Sequence, residues 1–168
     1  MSADFEQLLM QWLQDYEALI YKVIHGFAET EQDRRELFAE ITFQLWTSLQ
    51  NYSGKCAEST WIYRVSLNSA MKWKRSEAKL RKQWASLEKL PLSEQYAAEP
   101  RDQAQLKMLY DAIRRLPELG ASLVIMHLDG LSYKKMAEIS GISESNVGVT
   151  LNRARKKLFE LMKGDKYV

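Results

Sequence analysis

The sequence predicts an all-α protein of two small helical domains joined by a flexible linker, and three observations carry that expectation. Apolar residues recur at spacings of three and four along most of the 168 residues, the period of helices that bury one face. Glycine and proline are scarce, at 7 and 3, so few positions break a helix. Only the stretch 83–101 lacks a long apolar period, and it holds two of the three prolines, as an interdomain linker would. The expected organisation is therefore a domain over 1–82, a linker over 83–101 and a second domain over 102–168.

Residues 5–27 carry Phe5, Leu8, Leu9, Trp12, Leu13, Tyr16, Ile20 and Val23 on a helical period, as one amphipathic helix or two shorter ones, with Gly26 placed to end it. A helix over 33–49 aligns Leu37, Ile41, Leu45 and Leu49 as a core stripe. On another of its faces lie Glu36, Glu40, Phe43 and Thr47, fit either for a partner helix or for solvent with Phe43 tucked inward. The turn residues Asn51, Ser53 and Gly54 precede a third helix starting at Ser59 or Thr60. Beyond the linker, Leu106, Leu109, Ile113 and Leu116 form a second buried stripe, and Pro117 opens a helix that ends near Asp129 and Gly130.

Charge is distributed unevenly although the net is only +2. Residues 1–40 hold nine acids against three bases, residues 71–89 seven bases against two acids, and residues 145–163 five bases against one acid. Fields act over roughly 8–10 Å at ordinary salt, so the two basic stations can engage a polyanion while the acidic head faces a basic surface or solvent. In the helix after residue 59, the spacing places Trp61, Arg64, Asn68, Lys72 and Arg75 on one face. Opened DNA asks for that mixture, because rings stack on bases, amides reach base edges and cations neutralise phosphates.

The second station ends a pair of helices. Ser132 is placed to cap a helix whose Met136, Ala137 and Ile139 face inward, Gly141 makes the turn, and Ser143 caps the next helix. This is helix-turn-helix spacing, in which the second helix enters the major groove. Ser143, Glu144, Ser145, Asn146, Val149 and Thr150 are then the candidate readers, and Asn152, Arg153, Arg155, Lys156 and Lys157 the candidate backbone contacts. Leu151, Leu158 and Leu161 are spaced to hold that helix to its domain.

Leu131-Ser132-Tyr133, Ala137-Glu138-Ile139, Gly141-Ile142-Ser143 and the run 153–158 resemble, in order and spacing, the fourth conserved region of extracytoplasmic-function sigma factors of the sigma-70 family. Glu36-Leu37, Glu40, Leu45-Trp46, the run 60–65 and Asn68 resemble the second conserved region. Together the two resemblances span roughly residues 5–82 and 102–164. They imply an initiation subunit without catalysis of its own, which binds bacterial core RNA polymerase and directs it to promoter DNA. They imply that Glu36, Glu40, Phe43 and Gln44 meet the clamp helices of the largest polymerase subunit. They imply too that Lys55, Cys56, Ser59, Thr60, Trp61, Arg64, Asn68, Lys72 and Arg75 recognise and open the −10 element, and that the fourth region reads the −35 duplex. An anti-sigma partner is also implied. Where many members carry an acid and a glutamine on the clamp-binding helix this chain has Arg35 and Ala39, and a lysine and an arginine common in the recognition helix are replaced by Gly148 and Thr150.

Other classes fit less. An ordinary helix-turn-helix regulator leaves the 60–75 face unexplained. No glycine-rich phosphate loop, paired carboxylates or nucleophile constellation points to an enzyme. The single cysteine, Cys56, excludes an internal disulfide and is either a bystander thiol or an oxidation sensor, and neither it nor His25 and His127 has metal-ligand spacing, so no cofactor is expected. There is no run of about 18 apolar residues, and the acidic N-terminus does not read as a secretory signal. A cytoplasmic protein is the expectation.

Overall fold

Residues 2–84 and 101–166 are described by the computed structural model, and the expected linker lies, apart from its ends, outside them. The elements are α1 (Ser2–Asp15), α2 (Glu17–Phe27), α3 (Glu31–Ser48), a 3-10 turn (Leu49–Asn51), α4 (Glu58–Trp84), α5 (Arg101–Arg114), α6 (Glu118–Leu128), α7 (Tyr133–Ser140) and α8 (Glu144–Lys166). Among the described residues there is no strand and no helix long and apolar enough to cross a membrane.

Local chemistry sets the boundaries. The N-terminal apolar period resolves into two helices that part at Tyr16. Thr30 caps α3 by accepting from the Asp33 N–H at 3.0 Å, and Glu31 and Asp33 add negative charge to the first turn, where the helix dipole favours it. The stripe Leu37, Ile41, Leu45 and Leu49 is buried, as its period requires. In α5 the covered stripe begins later than expected: Leu106 is 52% exposed, whereas Ile113 and Leu116 are buried and Leu109 packs partly against the core. Helix α6 is apolar all round, with residues 120–126 buried, so it runs through the interior with other helices on every side.

A single core cluster runs from Trp12, Ile20 and Ile24 through Ile113 and Ile125 to Val147 and Leu151. The helices before the linker therefore pack directly on those after it, α2 against α5 and α6, and α4 against α7. Gly26 does not end α2. It lies inside the seam, where a Cβ would collide with the Ile125 side chain and approach Ile113.

Three cations in this seam act alike: each, from one half, closes C-terminal carbonyls of a helix in the other. Lys74 of α4 donates to the Arg114 carbonyl at 2.7 Å and the Leu116 carbonyl at 3.4 Å, at the end of α5. Arg114 donates to the His25 carbonyl at 2.7 Å in the last turn of α2, and Arg64 to the Glu138 carbonyl at 2.9 Å in the last turn of α7. Those carbonyls lack partners within their own helices and carry the negative end of the dipole. At the end of α6, the Asp129 carboxylate accepts from Lys22 Nζ and from the Tyr63 hydroxyl. Burial first, and then the Asp129 bond and charge, push the Tyr63 hydroxyl far above the ordinary phenol range, so it stays a donor.

The His25 ring lies 5.6 Å from that of Tyr110. Burial, with the positive charges of Arg34 and Arg114, lowers its pKa below the ordinary 6.5. A base whose folded pKa is depressed takes up more protons when unfolded, so its contribution is intact above 6.5 and is lost as pH falls from there toward the lowered value. Thermal unfolding midpoints from pH 7.5 down to 5.5 should therefore drop more steeply for the natural chain than for His25→Gln. Parallel curves would show that the folded structure does not depress the His25 pKa.

Candidate nucleic-acid interface

The turn expected between the last two helices is present. Ser132 accepts from the Lys135 N–H at 3.1 Å, Gly141 takes the left-handed conformation (φ 77°) that a side chain would disfavour, and Ser143 Oγ accepts from the Asn146 N–H at 3.1 Å. Buried Val147, Leu151 and Ala154 fasten α8 to the core, with Leu158 and Leu161 partly covered. That anchoring leaves Glu144, Ser145, Asn146 and Val149 outward in the first two turns, followed by Asn152, Arg153, Arg155, Lys156 and Lys157. Ser143 is also exposed, but its hydroxyl serves the cap, and Thr150 is only half-exposed. Gly148 faces the Tyr133 ring, 3.5 Å from where a Cβ would stand.

Helix α4 offers a different surface. Asn68, Lys72 and Arg75 are exposed along it. Between them and α3, the residues Glu40, Gln44, Ser48, Val65, Asn68 and Lys72 line a groove of about 220 Å³. Arg64 is committed to the Glu138 carbonyl, and Arg75 lies 3.6 Å from Glu118, so two cations of the expected −10 face contact the other half of the chain. Thr60 is buried, and Trp61 turns its ring toward Tyr52 (centroids 5.5 Å apart) with its Nε1 buried. The aromatic of this face is therefore half-buried against Tyr52. The reason is a cluster that periodicity within one helix does not reveal: Trp12 meets Tyr52 edge-on at 5.2 Å, and Tyr52 meets Trp61.

The same cluster seats the loop before α4. Tyr52 donates to the Cys56 carbonyl at 2.8 Å, Tyr16 donates to Glu58 at 3.3 Å, and Gly54 turns the chain with φ 73°. Ser53, Gly54 and Lys55 stand outward, whereas Cys56 and Ser59 are half-buried. On α3, Phe43 is 58% exposed among polar neighbours. Glu36 accepts from Gln32 at 3.2 Å, Glu40 from Gln44 at 2.9 Å, and Arg35 pairs with Glu31 at 2.6 Å. The carboxylates are thus held by neighbours one turn away, and Arg35 is partnered within its own helix. No cluster of metal-ligating side chains occurs among the described residues.

A family model described as Sigma-70, region 4 matches residues 106–158, which includes the whole helix-turn-helix. An ECF RNA polymerase sigma factor SigE from Mycolicibacterium smegmatis is 24% identical over 150 residues, covering 83% of this chain. RNA polymerase sigma factor YlaC from Bacillus subtilis is 26% identical over 162 residues, 91% of this chain and 88% of the relative. The chain is thus similar to sigma-70 proteins, over its second half by the region 4 match and over most of its length by these relatives. The relatives it matches include proteins named as ECF sigma factors. It spans 55% of the length of the mycobacterial relative. Its fold is also that of two solved structures. The sigma factor RpoE in complex with the anti-sigma factor NepR from Bartonella quintana has a TM-score of 0.68 at 19% identity, over 95% of this chain and 97% of that one. CnrH in complex with the cytosolic domain of CnrY has a TM-score of 0.67 at 16% identity, over 95% of this chain and 90% of that one.

If the Tyr52 hydroxyl seats the loop before α4, Tyr52→Phe should remove about 1 kcal/mol locally. Amide exchange over residues 53–57 should then quicken by about fivefold, while α7 and α8 keep their protection. Unchanged exchange in the loop would assign its order to the aromatic packing alone.

Proposed function

We propose that the chain is an alternative sigma factor, which binds bacterial core RNA polymerase and directs promoter-specific initiation without catalysis of its own. The observation that carries this reading is α8: a capped, glycine-turned second helix whose anchoring residues face the core while Asn146, Arg153, Arg155, Lys156 and Lys157 face solvent, inside the segment matched as sigma-70 region 4. In that role the first turns of α8 read the −35 duplex, and the cations after them hold its phosphates in register. The loop 53–59 and the exposed Asn68 and Lys72 take the −10 element once it opens. A few kcal/mol of unstacking must then be offset by pocket and phosphate contacts. The α3 face around Glu36, Glu40, Phe43 and Gln44 meets the polymerase clamp. The work is cytoplasmic, and a partner of the anti-sigma kind is supported by the fold shared with a sigma factor solved in complex with one.

On this reading the seam is a closed state of the chain. Arg64 and Arg75 can serve a DNA strand only after leaving Glu138 and Glu118, whereas the readers of α8 and the α3 face already stand in solvent.

Transcription in vitro with bacterial core polymerase on a fragmented library of the host genome tests the proposal. Starts that appear only with the protein, and that share two spaced upstream elements, are expected. Asn68→Ala should lower open-complex yield on such a promoter by about tenfold, the scale of one lost base contact, and leave binding of an isolated −35 duplex within about twofold. Specific duplex binding without core-polymerase binding or new starts would favour an ordinary helix-turn-helix regulator instead.

A further inference from the structure

Val149 is 51% exposed in the second turn of α8. Asn146 precedes it by three residues and Arg153 follows it by four, so the three share one face of the helix, and all three are exposed. The valine is thus an apolar point in the middle of a polar, cationic surface. Beside it, Gly148 has no side chain, and the Tyr133 ring occupies that flank, 3.5 Å from where a Cβ would be and itself 40% exposed. With glycine at position 148, the Tyr133 ring of the first helix covers the place a longer side chain would take, one residue before Val149. Both apolar groups lie beside residues whose charge suits a DNA backbone.

Of the four bases, only thymine presents an apolar group in the major groove, its C5-methyl; the others present polar atoms there. We propose that Val149, walled by Tyr133 lying on Gly148, is a specificity-determining residue that reads the methyl group of a thymine in the −35 duplex. The proposal rests on the reading of α8 as the duplex-binding helix and adds a base identity to it. Asn146, one turn earlier on the same face, has the carboxamide that pairs bidentately with adenine. The two side chains together suit an A·T-containing step, and Arg153, a turn further on, suits the phosphate beyond it.

The test uses the full chain assembled with core polymerase. Duplexes bound from a randomised −35 library are sequenced, and each enriched thymine is then replaced singly by deoxyuridine, which removes the methyl alone. At one thymine the replacement should weaken binding by about fourfold, the factor for one buried methyl-sized group. In Val149→Ala, thymine and deoxyuridine should bind within about 1.5-fold of each other at that position. The salt dependence of that variant should be unchanged, because Arg153, Arg155, Lys156 and Lys157 remain. Tyr133→Ala, which removes the wall and leaves the valine, should reduce the discrimination without abolishing it.

Binding that is salt-dependent and sequence-selective but indifferent to every deoxyuridine would overturn the inference and leave the function of α8 standing. So would discrimination that survives Val149→Ala. Failure of the assembled complex to bind any duplex through α8 would overturn both.

Discussion

Three cations hold the two halves of this chain together by one physical device. Lys74, Arg114 and Arg64 each cross the seam to close the carbonyl end of a helix that belongs to the other half. Carbonyls at a helix end need partners from outside the helix, and a positive charge there also meets the negative end of the dipole. Apolar contact alone would let α2 slide on α6. The caps, with the carboxylate of Asp129 between Lys22 and Tyr63, fix which turn faces which. The close approach of α2 to Ile125 at Gly26 then follows, since no other residue leaves that space open.

This seam sorts the surfaces of the molecule. The α3 face and the first turns of α8 lie away from it and are ready to meet partners as they stand. The α4 face lies across it: Asn68 and Lys72 are free in solvent, whereas Arg64 and Arg75 are engaged with α7 and α6. A partner that holds the halves together keeps those two cations occupied, and one that draws them apart releases both. Each such exchange is modest in energy, because an exposed ion pair such as Arg75 with Glu118 contributes roughly 0–1 kcal/mol. The apolar contacts around Gly26 and Ile113 therefore supply most of what must be overcome.

Much of this was legible in the sequence, for reasons of period and cap chemistry. Leu37, Ile41, Leu45 and Leu49 are buried as their spacing requires, and Ser132, Gly141 and Ser143 do what their residue types predict. The outward positions of α8 followed from the inward ones, because a helix fixes both at once. What the sequence did not carry is long-range. An arginine at position 64 looks like a free phosphate ligand, and a lysine at 74 like one more charge of a basic segment, until the helix ends they cap are placed beside them. Trp61 falls on the Asn68 face by period, but Trp12 and Tyr52, from elsewhere in the chain, draw its ring inward. Gly26 looked like a helix terminator, and its role is close packing that only the partner helix defines. Gly148 likewise shows in the sequence only as a departure from the family's usual cations, and the Tyr133 ring that lies against it is visible only in the fold.

On the sigma reading, Arg64 and Arg75 meet promoter DNA only after the seam parts. The distance between α4 and α7, read from labels at Ser76→Cys and Lys134→Cys in a Cys56→Ser background, reports that parting. Both label sites are exposed. One short distance is expected for the protein alone, and a clearly longer one in the complex with core polymerase that initiates transcription. A short distance retained in a complex that is actively transcribing would rule the parting out.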